Sequence, residues 1–280
     1  MTASPAPLPG DELRAQALAA IACCSPADKL AATLALDPAQ ALDADAKLHP
    51  QRPVPGREAR PELVPPARLH KRSVRSLVGR ATLIHALAHI EFNAIDLALD
   101  IVWRFEAMPE SFYRDWIRIA QEEARHFALL DAHLNSLGHR YGDFPAHNGL
   151  WEMAEKTASD LLARLALVPR TLEARGLDAT LPIRDKLLQA GDHEAAAILD
   201  LILRDEIGHV ACGNHWYRYL CARRGLDPVT TAAELAVRYR APRLRGPFNL
   251  DARRAAGFDE QELASLQTPP STTTAHDDPA

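Results

Sequence analysis

The sequence predicts an all-α protein: a four-helix bundle with an N-terminal helical and proline-rich arm and a C-terminal helical extension. Three observations carry that prediction. Four long stretches, residues 76–106, 110–137, 149–176 and 192–224, place apolar residues at helical spacing. Gly138, Gly176 and Gly225 stand just past three of them, where a helix C-cap favours a left-handed residue. No segment of this region alternates with period two over the length of a strand.

Along the chain, residues 1–75 form the arm. "DELRAQALAAIACC" and "PADKLAATLAL" read as two short helices split at Ser25-Pro26, where serine caps and proline starts a helix. The stretch that follows carries prolines at 50, 53, 55, 61, 65 and 66, too many missing N–H groups for a helix interior or a central strand. Its Leu63, Val64 and Leu69 predict that it packs along another element. Residues 76–225 are the bundle; each long stretch spans ~40 Å at the helical rise, and Asp192 is placed to cap the fourth. In 226–266, "DPVTTAAELAVRYR" predicts a helix, "APRLRGPFNLDARRAAGF" an irregular wrap and "DEQELASL" a last short helix. The polar residues 267–280 are expected to be a disordered tail.

Composition narrows the function classes. A net charge of −5 with basic residues scattered among acidic ones offers no dense Lys/Arg stripe for nucleic acid. Cys23, Cys24, Cys212 and Cys221 form no CxxC pair and fit reduced thiols. The N-terminus has no basic region followed by an apolar core, and no apolar run reaches the ~18–20 residues of a membrane span. The expectation is a cytoplasmic protein without a membrane span.

The chemistry sits inside the bundle. "AQEEARHFALL" in the second stretch supplies Glu123-x-x-His126, and "RDEIGHVACGNHW" in the fourth supplies Glu206-x-x-His209. At i, i+3 two side chains lie about 60° apart around a helix, so both reach one metal. A two-metal carboxylate site in a bundle needs two such pairs plus one Glu from each remaining helix. Glu91 is the acid on an apolar face of the first stretch; Glu173 follows the apolar face of the third. Glu91 precedes Glu123 by 32 residues and Glu173 precedes Glu206 by 33, so two helical hairpins repeat one pattern. Glu152 and Glu155 compete with Glu173 for the third position, but neither reproduces that spacing. Pro169, four residues before Glu173, predicts either a kink or widened turn beside the site or a plain helix break. Asp205, beside Glu206, is placed either to support a ligand histidine on a neighbouring helix or to sit in solvent.

Across about residues 76–224 the sequence resembles the ferritin-like superfamily of non-haem di-iron carboxylate proteins. The whole chain, including "PGREARPELVPP", "HALAHIEFNAIDLALD", "YGDFPAHNGLWEMA", "ALVPRTLEARGLD" and "LRGPFN", resembles a bacterial ferritin-like family catalogued as a domain of unknown function. The resemblance implies the fold and a metal site holding two iron ions, with manganese equally suited to such donors. The superfamily's ligand roles fall on Glu91, Glu123, His126, Glu173, Glu206 and His209. It implies no substrate.

Three functions are compatible with this pattern. An O2-dependent oxidoreductase or hydroxylase leads, by analogy with tRNA-modifying di-iron monooxygenases and quinone-biosynthesis hydroxylases. The missing basic stripe favours a small-molecule substrate over tRNA, and such an enzyme would call on an electron-transfer partner. A ferroxidase or iron-handling protein is the second function. Against it stand about 75 residues before the bundle and 55 after, which suit a substrate-site cover or a homodimer surface better than a cage. A non-enzymatic helical scaffold is the third. Outside the ligand set, His85, His89, Asn93, Asp96 and Asp100 form a second polar stripe, roughly 120° to 160° around the first helix from Glu91. That face is expected under the proline-rich arm or the C-terminal wrap, a substrate-facing role being the alternative. Trp116 and Trp216 are expected in the core, relay of electrons or radicals beside the site being the alternative.

Overall fold

The computed structural model describes residues 12–69 and 73–267. Among them the structure is all-helical, with one isolated bridge, Leu63 to Ala146, and no strand. The expected tail lies outside the described residues, except Gln267, which ends the last helix. None of the described helices is long and apolar enough to cross a membrane.

Two short helices, α1 (Leu13–Ile21) and α2 (Pro26–Leu34), open the chain. Ser25 caps α2 through its hydroxyl, which accepts from the Asp28 N–H, and Pro26 takes the first helical position. Then come α3 (Leu77–Arg104) and α4 (Glu110–Ser136), an antiparallel hairpin closed with Phe92 against Phe127. From Glu91 to Trp103 every residue of α3 is buried, so it is the central helix. Its buried polar side chains therefore need partners on every side.

One of those partners is Arg14 of α1. Its buried guanidinium donates to the Val102 and Trp103 carbonyls, which the end of α3 leaves unpaired, and to Asp43, Ala44 and Ala46 in the arm. The polar stripe of α3 is covered too, and the arm does much of the covering. Lys29 of α2 pairs with Asp96 and donates to the Gly56 carbonyl, while Arg57 donates to Asn93 and Asn148. Gly56 is required there, because a Cβ would stand 2.3 Å from the Ala22 carbonyl oxygen. The 141–147 loop completes the cover. His89 ring nitrogens lie 2.8 Å from the Tyr141 hydroxyl and 3.1 Å from the His147 carbonyl, and the Gly142 N–H donates to His85. Asp100 pairs with Arg104 and Arg164. The C-terminal wrap packs instead on α7 and α8, against Ala174, Leu177 and Val210.

The third long stretch differs from the predicted 149–176. α5 (Gly149–Lys156) ends at a turn, and Asp160 caps a new helix by accepting from the Ala163 N–H. That helix begins as α6 (Leu161–Leu167), widens into a π-helical stretch over Val168–Glu173, and continues as α7 (Ala174–Gln189). Gly176 is therefore inside a helix rather than at its cap. Glycine in a helix interior costs ~1 kcal/mol against alanine, which the burial of Leu177 and Leu187 beyond it outweighs. The glycine at this helix's end is Gly191, with φ +80°. Asp192 then caps α8 (His193–Arg224), and Gly225 closes it at φ +65°.

α7 and α8 form the second hairpin, and α4 packs on α8. α9 (Pro228–Arg238), α10 (Leu250–Ala255) and α11 (Glu260–Gln267) finish the chain; α10 falls inside the segment expected to be irregular. Ala252, Ala256, Phe258 and Leu263 build a small second cluster against Leu177 and Val210, locked by the Arg253–Asp178 ion pair.

Candidate metal centre

The buried interior where α4 meets α8 holds acids and imidazoles in place of hydrocarbon. Glu91, Glu123, His126 and Glu206 each offer a donor atom, and these atoms lie within 4.8 Å of one another. All four side chains are buried. His209 joins them, its Nδ1 being 2.9 Å from Glu123 Oε1 and 3.5 Å from Glu206 Oε1. His126 Nδ1 lies 3.3 Å from Glu91 Oε2 and 3.4 Å from Glu123 Oε2. Glu123 thus stands between the two imidazoles, whose ring centres are 5.8 Å apart. Glu173, at the end of the π-helical stretch, is not among the four converging residues but interacts electrostatically with Glu206, Glu123 and His209. Its competitors are elsewhere: Glu152 and Glu155 are exposed on α5, and Glu155 accepts from the Trp151 indole.

The widened turn positions Glu173. Pro169 has no N–H to give the helix, and the Thr171 hydroxyl bonds back to the Ala166 carbonyl, five residues earlier. The facing helix makes room with Gly213, where a Cβ would meet Pro169 Cβ at 2.7 Å. Glycine at this point of α8 is what lets the π-helical stretch approach.

Each imidazole is held from outside by an acid of the other hairpin. His126 Nε2 lies 3.1 Å from Asp205 Oδ2, and His209 Nε2 lies 2.7 Å from Glu122 Oε2. An N–H donated outward on Nε2 leaves Nδ1 as the lone-pair nitrogen facing the cluster. Glu122 carries no signal of its own in "QEEARH". Its position does: it immediately precedes Glu123, as Asp205 immediately precedes Glu206.

The electrostatics are those of acids and imidazoles crowded together in a buried place. Burial, then Glu123, pushes the Glu91 carboxyl well above its ordinary range, and burial, then Glu206, does the same to Glu173. Glu206 is raised for the first of these reasons, again reinforced by Glu123. Burial opposes ionisation of Glu123 as well, but His209 and His126 outweigh it and hold its carboxyl low. Burial disfavours charged imidazoles, yet the neighbouring Glu123 and Glu91 carboxylates raise His126 to about 11. The Glu123 charge likewise overcomes burial at His209. Two atoms inside the cluster, Glu91 Oε2 and His209 Nδ1, are buried without a hydrogen bond despite close ionic neighbours. A cation among these donors would satisfy both, so the residues present fit a metal, whose identity the donor set leaves open.

The surroundings are apolar and aromatic. Trp116 and Trp216 are buried, Phe112 stands edge-on to both, and the Trp216 indole donates to Asp115. His133, seven residues after His126, is buried near the end of α4 against Asp192, away from the cluster acids. Burial raises the Cys212 thiol to about 12, so it is no ready thiolate. Three cavities among the described residues are lined by other residues, none of them from the cluster.

Comparisons with known proteins agree on a family and stop there. A family model described as "Protein of unknown function (DUF455)" matches residues 22–264. An uncharacterized protein of Haemophilus influenzae is 51% identical over 221 residues, covering 76% of this chain and 77% of its own length. No solved structure matches.

Proposed function

The chain belongs to the DUF455 family, and from that premise we propose that its buried cluster is a two-metal carboxylate centre in a ferritin-like bundle, serving O2-dependent oxidation of a small organic substrate. The observation that carries this reading is the two-fold repetition of the donors. Glu91, Glu123 and His126 on one hairpin answer Glu173, Glu206 and His209 on the other, and Asp205 and Glu122 cross over to hold the opposite imidazole. A structural ion pair needs no such duplication. Four carboxylates offset the charge of two divalent ions, and carboxylate–imidazole donors suit iron or manganese. Iron in such a pair supplies the capacity to bind and reduce dioxygen.

The chain's own residues would do the rest. Glu123 stands where it can serve both ions, being within reach of both imidazoles. Asp205 and Glu122 orient those imidazoles. The apolar wall around the cluster excludes water from it. Glu173, the ligand candidate with most exposure, marks the side from which small molecules would approach.

Oxygen uptake by iron-loaded protein under a chemical reductant tests the activity. The expected result is sustained uptake that is lost in Glu123→Ala and Glu206→Ala. Continued oxidation of added Fe(II) well past two ions per chain, with iron retained, would instead support iron handling. No uptake in the iron-loaded parent would leave the helical scaffold as the account.

A further inference from the structure

A second site is written in the C-terminal extension, apart from the cluster and independent of its reading. A groove of about 530 Å³ runs along α9 and α11, with the 240–244 turn at its side. That volume is in the range of small-molecule sites. Its walls are mostly apolar: Ala232, Ala236, Leu244 and Leu266 line it, and Val237 is 79% exposed at its edge.

The charged groups that reach it are cationic, with one exception already neutralised. Glu262 is held by Arg170 on one oxygen and by Arg218, at 2.8 Å, on the other. Arg240 and Arg243 also line the groove, and neither side chain has a partner among the described residues. Arg253, fully buried and part of the same lining, spends Nε and Nη2 on Asp178 and leaves Nη1 without any hydrogen bond. A buried cationic donor with no acceptor is costly, and one anionic oxygen would relieve it.

Arg240 adds an independent sign. It follows α9 at the left-handed position of the cap, φ +51°, with the Ala241 N–H closing back onto the Ala236 carbonyl. Glycine is the default at that position, and a side chain there carries backbone strain. The chain keeps an arginine where it is strained, and that arginine faces the groove.

We propose that this groove binds an amphipathic anion. Its carboxylate or phosphate head meets Arg240 and Arg243, with the buried Arg253 adding positive charge behind them, and its hydrocarbon body lies along α9 and α11. Arg170 and Thr171 of the π-helical stretch line the same groove, so an occupant would sit against the segment that presents Glu173.

Titration calorimetry on the full chain tests this with decyl phosphate below its micelle concentration, inorganic phosphate, decyltrimethylammonium, and phosphatidylglycerol vesicles. Decyl phosphate is expected to bind once per chain, inorganic phosphate much more weakly, and the cation not at all. Arg240→Gly should melt no lower than the parent, because it relieves the cap, yet bind decyl phosphate about tenfold more weakly through loss of a charge-assisted contact. Ala236→Trp, which fills the groove, should abolish binding. Three results would overturn the proposal: no binding of decyl phosphate, equal binding of the cation, or full affinity in Arg240→Gly. Binding of the vesicles without the monomer would overturn it as well, since the groove would then be a membrane contact.

Discussion

Single residues divide into donors and the groups that aim them. Glu122 and Asp205 touch the imidazoles from outside, and each is partly exposed, so replacing either should leave the fold intact. Glu122→Gln and Asp205→Asn keep the shape but weaken the outward hydrogen bond that fixes the ring. Each is expected to cost 10–100-fold or so in metal affinity, measured by competition with a chelator, with melting of the metal-free protein little changed. Unchanged affinity in both would mean the crossing acids are ornamental. Lys29 is the opposite case, being buried against Asp96, whose own carboxyl burial pushes up even beside that lysine. Lys29→Met strands an acid in the core and should cost ~3–5 kcal/mol, while Lys29→Met with Asp96→Leu should recover most of it. Denaturant titration of the three proteins reads this directly, and a double variant no better than the single one would refute the pairing.

At the scale of elements, the π-helical stretch explains both what could be read from the sequence and what could not. The hairpin arithmetic of Glu91, Glu123, Glu173 and Glu206 depends only on helical periodicity, which tertiary packing leaves alone. Pro169 likewise announces a disturbed turn. The position of the helix ends is another matter. Gly176 has the signature of a cap, and only the burial of Leu177 and Leu187 beyond it decides that the helix continues. The break at 157–160 is similarly decided from outside, since Arg164 reaches back to the Thr157 hydroxyl and the Ala154 carbonyl. The cover over His85, His89 and Asp96 comes from segments distant in the chain, as does the Glu122–His209 contact, and periodicity carries no information about either. Gly213→Ala tests whether the widened turn is needed. Its methyl must push Pro169 away, at a cost of ~1–3 kcal/mol. Glu173 moves with it, so metal bound per chain should fall even where the variant stays folded. Full metal loading in a folded Gly213→Ala would show that the approach of the two helices does not place Glu173.

At the scale of the whole molecule, the cluster links stability to pH and to metal. The imidazoles of His126 and His209 are raised in the fold, so their stabilisation is complete below the ordinary histidine range and fades as pH rises toward the folded value, about 11 for His126. Glu91, Glu173 and Glu206 are raised as well, so the fold is penalised as pH climbs above the ordinary glutamate range. Glu123 runs the other way, its contribution being lost only on acidification. Near neutral pH the first two groups agree in sign. The metal-free protein should therefore melt progressively lower between about pH 6 and pH 9, and the metal-loaded protein should not. Metal binding near pH 7 should release protons, seen as a dependence of the calorimetric heat on the buffer's ionisation enthalpy. Metal-free melting that rises over that interval would contradict the linkage.

The central claim is that the two repeated donor sets hold metal. Its most direct test is metal analysis of protein purified from iron-replete cells, beside Glu123→Ala and Glu206→Ala prepared in the same way. The account predicts about two ions per chain in the parent and loss in both variants. A parent that carries no metal, or variants that keep the parent's full complement, would contradict it.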